Sequence, residues 1–154
     1  MYRKLFCLGI VLLTCTGAGA VMVPLTTADL TGHATLVITG TVEGVKSLPP
    51  DGRNVIYSEA EVRVGDTVIG APAGDRVTVR YMGGTYGDLG YVVEDQPTFK
   101  AGEQVVLFLA PAAGGAYACP DGVQGKLNVV DGTVLPAGVT LNHFLADVTA
   151  ADGR

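Results

Sequence analysis

The sequence contains few of the residues from which catalytic and metal sites are usually built. Its 154 residues include no Trp, two His, three Cys and two Ser. His33 and His143 do not fall with each other or with a cysteine at the spacing of a zinc motif. Ser47 and Ser58 lie outside any Gly-x-Ser-x-Gly segment, which excludes the nucleophile elbow of the α/β-hydrolases. We therefore expect a protein that is not an enzyme, with no catalytic residues and no metal or cofactor.

The first 20 residues have the pattern of a cleaved signal peptide. A short basic segment, Met1–Lys4, precedes an apolar run, Leu5–Leu13, and Ala18–Ala20 supplies the small residues that signal peptidase requires. The apolar run is shorter than the ~20 residues that cross a bilayer. Lipidation of Cys15 is the alternative, because Leu12–Cys15 resembles a lipobox in which the residue before the cysteine fits poorly. The sequence predicts a secreted or periplasmic protein without a membrane span.

The mature chain, residues 21–154, is expected to be one acidic domain with a single thiol. Cleavage removes two of the 10 basic residues and none of the 15 acidic ones, so the formal net charge falls from −5 to −7. Nucleic acid and anionic lipid are not expected partners, because both need a positive patch. Cys119 is then the only cysteine. We interpret it as an inert thiol, with a nucleophile pair with His143 and a disulfide between two copies as alternatives.

Valine-rich segments with alternating hydrophobic residues predict an all-β domain. In Ala34–Val45, Leu36, Ile38 and Val42 share one face, and the other face is expected to contact water. Further strands are predicted at Val55–Val64 with a bulge at Gly65-Asp66, Val77–Tyr81, Tyr91–Val93, Glu103–Ala110, Tyr117–Cys119, Gly125–Val130 and Val134-Leu135.

Helical structure is predicted at both ends of the domain. A capping box, Thr26–Asp29, predicts a helical turn over residues 27–32. Thr140 precedes an apolar stripe at helical spacing that ends at Val148. The fold class is therefore an OB-like barrel of five to six strands, closed or partly open, with a short N-terminal helical turn and a C-terminal helix. A small sandwich fits the same strand pattern.

The glycine-rich segment Met82–Gly90 is the strongest candidate for a binding site. We expect a loop that is either a recognition surface or a flexible hairpin connection. A second candidate loop is Pro49–Asn54. The candidate binding residues are Gly83, Gly84, Thr85, Tyr86, Gly87, Asp88 and Tyr91.

Several segments resemble those of a widespread group of uncharacterised bacterial exported proteins. They are Ala34–Val42, Ile56–Val62, Pro97–Leu109 and Gln124–Leu127, and the resemblance covers roughly residues 24–148. The order of these segments is also similar to that of the netrin-like domain of tissue inhibitors of metalloproteinases. The resemblance implies an OB-type five-stranded barrel with terminal helices.

The inhibitory mechanism of those proteins does not carry over to this chain. The resemblance implies an N-terminal cysteine that chelates the protease zinc, whereas the expected N-terminus here is Val21–Pro24. The main hypothesis is a non-enzymatic module that binds a protein through loops at one end of the barrel, a protease being one candidate. The alternatives are glycan or small-ligand binding at Tyr57 and Tyr81, a hydrolase using Cys119, and a structural envelope protein.

The intact mass of the exported protein tests the position of the signal peptide. We expect the mass of a chain that starts at Val21, because the cut follows Ala20. A mass corresponding to a lipidated Cys15 would overturn this assignment.

Overall fold

The computed structural model describes residues 22–153, so the predicted signal peptide lies outside the described residues. Within them the chain is mainly β, as the sequence predicts. The strands are β1 (Leu36–Ser47), β2 (Tyr57–Ile69), β3 (Arg76–Met82), β4 (Gly84–Tyr86), β5 (Leu89–Tyr91), β6 (Gln104–Pro111), β7 (Tyr117–Ala118), β8 (Lys126–Val130), β9 (Thr133–Leu135) and β10 (Val139–Thr140). The helices are α1 (Thr27–His33) and α2 (Leu141–Ala151), with short 3-10 helices at Ala113–Gly115 and Gly122–Gly125.

Five of these strands close into a barrel. β1 pairs antiparallel with β2 on one edge and with β6 on the other, and β2 pairs antiparallel with β3. β7 completes the ring, because it pairs in parallel with β3 and antiparallel with β6. The order β1-β2-β3-β7-β6 therefore returns to β1. This closure confirms the OB-like barrel and excludes the sandwich.

The sheet continues beyond the barrel through its last strands. β6 pairs with β7 near its C-terminal end and with β8 along its first half, so β7 and β8 follow one another along one edge of β6. The 3-10 helix Gly122–Gly125 separates them. β9 and β10 then extend the sheet from β8 as an antiparallel meander.

The barrel has one core inside it and a second core under the helices. β1 and β6 contribute to both, since successive side chains of a strand point to opposite faces. Ile38 of β1 and Leu107 of β6 lie in the interior core. Their neighbours in sequence, Val37 and Phe108, lie in the second core with residues of α1 and α2. This two-sided burial explains why the β6 sequence is a continuous apolar run and does not alternate.

The expectation of a wet outer face on β1 is wrong for the first half of the strand. Val37 is fully buried there, and Thr39 is also buried. The Thr39 hydroxyl accepts a hydrogen bond from the Asp66 N–H at 2.7 Å. The sequence pattern did not reveal this, because the cover comes from helices at both ends of the chain.

The predicted bulge in β2 is present. Ile38 of β1 pairs with Thr67 of β2, and Gly40 pairs with Val64. The interval is two residues along β1 and three along β2, so β2 contains one extra residue here. A Cβ at Gly40 would lie 2.6 Å from the Arg63 carbonyl oxygen. This close approach is the reason that glycine occupies this inward position, and it permits the strong coiling of a small barrel.

Both helices begin where the sequence predicts. Thr26 caps α1 in a reciprocal capping box, in which its hydroxyl accepts from the Asp29 N–H and the Asp29 carboxylate accepts from the Thr26 N–H. Thr140 caps α2. Phe144 and Val148 of α2 are buried, and the Phe144 ring meets Phe108 edge-to-face with centroids 6.3 Å apart. The C-terminal helix therefore packs on the outer face of β6.

No helix in residues 22–153 combines the length and apolar character that crossing a membrane would require.

Truncation of Phe144 tests the packing of α2. Phe144→Ala should lower the free energy of unfolding by about 3–5 kcal/mol, because it leaves a cavity against Phe108. The matched control is Asn142→Ala on the exposed side of the same helix, which should change stability by less than about 0.5 kcal/mol. Urea unfolding measures both variants, and equal midpoints for the two would show that α2 does not stabilise the barrel.

Candidate functional site

The glycine-rich segment forms a β-hairpin, so the sequence prediction of a loop is wrong for most of Met82–Gly90. β4 and β5 pair antiparallel, with Gly84 opposite Tyr91, Thr85 opposite Gly90 and Tyr86 opposite Leu89. Gly87 and Asp88 make the two-residue connection. The short strand predicted at Tyr91–Val93 is displaced toward the N-terminus, because Tyr91 ends β5. Six of the seven candidate residues therefore belong to a two-stranded ribbon at one end of the barrel, and Gly83 directly precedes it.

Two serine hydroxyls attach this hairpin to the barrel. The Ser58 hydroxyl donates to the Gly83 carbonyl at 2.7 Å, so the Ser47 hydroxyl is the donor in the 2.9 Å bond between the two serines. The Ser47 oxygen then accepts from the Thr85 N–H at 3.2 Å. Each hydroxyl has one proton, and this arrangement uses both. Ser47 and Ser58 are therefore structural anchors of the hairpin.

Gly84 allows the close approach of the hairpin to these serines. Its φ is +132°, a conformation that L-residues with a side chain rarely adopt. A Cβ at this position would overlap the hydroxyls of both Ser47 and Ser58. The anchor therefore depends on glycine at residue 84.

The segment that returns from the hairpin is also held. The Gln96 side-chain oxygen accepts from the Met82 N–H at 3.3 Å. Further along, the Lys126 ammonium donates to the Thr98 carbonyl at 2.6 Å and to the Glu103 carboxylate at 2.8 Å, and it lies 5.0 Å from the centre of the Phe99 ring. The chain is thus bonded to the barrel at Gly83 and Thr85, where it enters the hairpin, and again at Gln96, five residues after β5 ends.

The candidate residues differ in how much of each side chain or backbone unit is exposed. Gly83 is buried, Gly84 and Tyr91 are partly buried, and the remaining four, Thr85–Asp88, are exposed. Gly83 and Gly84 therefore position the hairpin, and the exposed residues are the ones available to a partner.

Two exposed apolar side chains extend this surface and were missed in the sequence analysis. Leu89 is 55% exposed and Val92 is 89% exposed, in addition to Tyr86 at 43%. The sequence does contain a signal for these exposed side chains, because Leu89 and Val92 are large apolar residues in a segment rich in glycine and polar residues. Tyr86 and Leu89, which lie opposite each other across the hairpin, form its apolar surface, and Val92 follows directly after β5.

The second candidate loop lies beside the hairpin. It connects Ser47 at the end of β1 to Ile56 just before β2, and the Ile56 carbonyl accepts from the Gly83 N–H at 2.8 Å. Within it the Asp51 carboxylate accepts from the backbone N–H groups of Arg53 and Val55. These bonds lower the pKa of Asp51. The structure therefore brings both predicted loops to the same end of the barrel.

A surface concavity of about 220 Å³ lies against the hairpin. Its walls include Gly90, Tyr91 and Val92 from β5 and the residue after it, together with Met82 and Thr98 from the anchored segments. The charged residues within residues 82–97 are all acidic: Asp88, Glu94 and Asp95 are exposed, and this segment contains no Lys or Arg. Lys126, which binds the Thr98 carbonyl, is paired with the Glu103 carboxylate. The hairpin is therefore apolar and acidic.

Charged residues on the outer face of β1, β2 and β3 are paired. The Glu59 carboxylate binds Arg80 at 2.6 Å and Lys46 at 3.1 Å. These partners lower the pKa of Glu59, the Arg80 hydrogen bond having the larger effect. The Glu43 carboxylate likewise binds Arg76 and Arg63. These charges therefore form a solvated network of ion pairs across the strands.

The proposed pair of Cys119 and His143 is not brought together. Cys119 is buried in the interior core, and burial raises the pKa of its thiol to about 12. His143 lies on the exposed side of α2, near Asp147. A thiol with this pKa is not a nucleophile at neutral pH, and its burial gives a disulfide-linked dimer no support.

Within residues 22–153, no group of three or more His, Cys, Asp or Glu residues has a geometry that could hold a metal ion.

One polar contact was not expected from the sequence: His33 Nδ1 lies 2.8 Å from Asp121 Oδ1 and joins α1 to the segment after β7.

The sequence matches no known protein-family model, and it matches none of the curated proteins.

Substitution of Gly84 tests the anchor. Gly84→Ala should lower stability by about 2 kcal/mol or more, because it adds backbone strain and a clash with both serines. Hydrogen exchange at the Thr85 amide should become faster, since its bond to Ser47 is displaced. Gly90→Ala is the control, because a Cβ there meets nothing within 4 Å. A stable Gly84→Ala variant with an unchanged Thr85 amide would contradict the anchor.

Proposed function

We propose that the mature chain is an exported, non-enzymatic binding domain that contacts a partner protein through the β4–β5 hairpin and the adjoining loop of residues 48–56. The observation that carries the proposal is the exposed apolar pair Tyr86 and Leu89, on a ribbon whose entering strand is bonded to the barrel through Ser47 and Ser58. The signal-peptide pattern of residues 1–20 supports an extracytoplasmic location.

Exposed apolar side chains on an anchored ribbon favour binding for two reasons. Burying one large apolar side chain contributes about 1.5–3 kcal/mol. A segment that is already ordered loses little conformational freedom when it binds, so more of that contribution appears as affinity. Both conditions are met by Tyr86 and Leu89, which face each other across the hairpin at its tip.

The remaining chemistry of the described residues supports binding over catalysis. The Ser47 and Ser58 hydroxyls are used in the anchor, and no basic side chain contacts either of them. The Cys119 thiol is buried and its pKa is raised.

A protease is one candidate partner, through the resemblance to the netrin-like domain of metalloproteinase inhibitors. The closed barrel is compatible with that resemblance. The cysteine-based contact of those inhibitors has no counterpart in a mature chain that begins at Val21. Any inhibition by this domain would therefore use the hairpin and not the N-terminus.

Glycan binding on the barrel face has less support than protein binding. Of the two aromatic residues considered for it, Tyr81 is buried and packs on Phe99 with ring centroids 5.2 Å apart. Burial also raises the pKa of Tyr81. Its ring is therefore not available to stack on a sugar.

A crosslinking experiment with paired variants tests the proposal. The double variant Tyr86→Ser with Leu89→Ser should lose at least about 90% of the partner captured from the native envelope, because both apolar contacts are removed. The control is Val130→Ser with Leu135→Ser, two side chains of similar exposure on β8 and β9. Mass spectrometry quantifies the captured proteins for each variant.

Equal capture by the hairpin variant and the wild type would overturn the proposal. Loss in the control variant but not in the hairpin variant would move the binding surface to β8 and β9.

A further inference from the structure

The outer edge of β5 carries backbone groups that have no partner within residues 22–153. β5 pairs with β4 alone. Thr85 lies opposite Gly90, and its N–H donates outward to Ser47 and not across the ribbon. Opposite residues of an antiparallel ladder either exchange both hydrogen bonds or direct both away from each other. Gly90 therefore directs its N–H and C=O outward, at the free edge.

This edge is open to an incoming chain. Gly90 is exposed and has no side chain to cover its backbone groups, and a Cβ there would meet nothing within 4 Å. Leu89 on one side and Val92 on the other are exposed and apolar. The concavity of about 220 Å³ beside Gly90, Tyr91 and Val92 is large enough to receive a side chain from a neighbouring strand. Free backbone groups and an adjacent pocket are the two elements of recognition by strand addition.

The charge of the hairpin decides which chain can occupy the edge. Asp88, Glu94 and Asp95 lie along the segment, and Lys and Arg are absent from residues 82–97. A second copy of this chain would place like charges against one another, which is unfavourable. A segment that carries Lys or Arg between apolar residues would be attracted to the same surface.

We propose that the β5 edge binds an extended basic segment of the partner as an added strand, with apolar side chains toward Val92 and the concavity and with Lys or Arg side chains toward Asp88, Glu94 and Asp95. This inference rests on the proposed function, since it names how the hairpin binds and the chemistry of what it binds.

The direct probe is a short synthetic peptide that alternates valine with lysine. It should bind the mature protein, and the affinity should fall as salt is added, because the charge attraction is screened. The same peptide with alternate backbone amides N-methylated should bind about tenfold more weakly, since one of its edges lacks donors. A peptide that alternates valine with glutamate should not bind. Isothermal titration calorimetry measures all three.

A proline at residue 90 tests the edge from the protein side. Gly90→Pro removes the outward N–H and leaves the bonds between β4 and β5 in place, because proline is tolerated on an edge strand whose N–H faces solvent. Its affinity for the valine–lysine peptide should fall about tenfold. Asn142→Ala, on the exposed side of α2 and away from the hairpin, is the control and should bind as the wild type does. Thermal unfolding checks that each variant is folded.

The outcomes separate this inference from the proposed function. Failure of the wild-type protein to bind the valine–lysine peptide, or equal binding of the peptide with and without N-methylation, overturns strand addition. That result leaves the hairpin as a binding surface if the Tyr86→Ser, Leu89→Ser variant still loses its partner. The N-methylated peptide decides the question on wild-type protein even if Gly90→Pro does not fold. Tight self-association of the wild type through the same edge would also overturn the choice of a basic partner.

Discussion

The pairing of β1 with β6 is the constraint on which the rest of the structure depends. It closes the barrel, because β1 would otherwise have one free edge along its first half. It also forces side chains of both strands into two cores at once, as Val37 and Ile38 show. If a strand that is buried on both faces slips by one residue, each of its side chains moves from one core into the other. The register of β1, and with it the position of Ser47 at its end, follows from this pairing.

The hairpin takes its position from that register. Ser47 and Ser58 are direct partners across β1 and β2, so their hydroxyls meet at the end of the ladder. These hydroxyls bind Gly83 and Thr85, so the register of β1 and β2 determines where the hairpin leaves the barrel. The apolar surface at Tyr86 and Leu89 is therefore fixed relative to the core, although it makes little contact with it.

The sequence predicts those features that depend on neighbouring residues and misses those that depend on distant ones. The alternation in β2 and β3, the bulge at Gly65-Asp66 and the capping box at Thr26 are local patterns, and all are present. The hairpin was read as a loop, because β4 and β5 are three residues each and their anchor at Ser47 lies 38 residues from Thr85. The exposure of Leu89 and Val92 and the outward direction of the Gly90 backbone were therefore missed in the sequence analysis.

The acidity of the hairpin and its exposed apolar residues are best understood together. An exposed edge with apolar side chains invites pairing with other copies of the same chain, and charged residues near an edge oppose this. Asp88, Glu94 and Asp95 supply that charge and have no cation among residues 82–97 to neutralise them. In the proposed mode of binding, the same carboxylates that disfavour pairing with a second copy would attract a basic chain. A short acidic edge can therefore remain unpaired in the free protein and still be open to one class of partner.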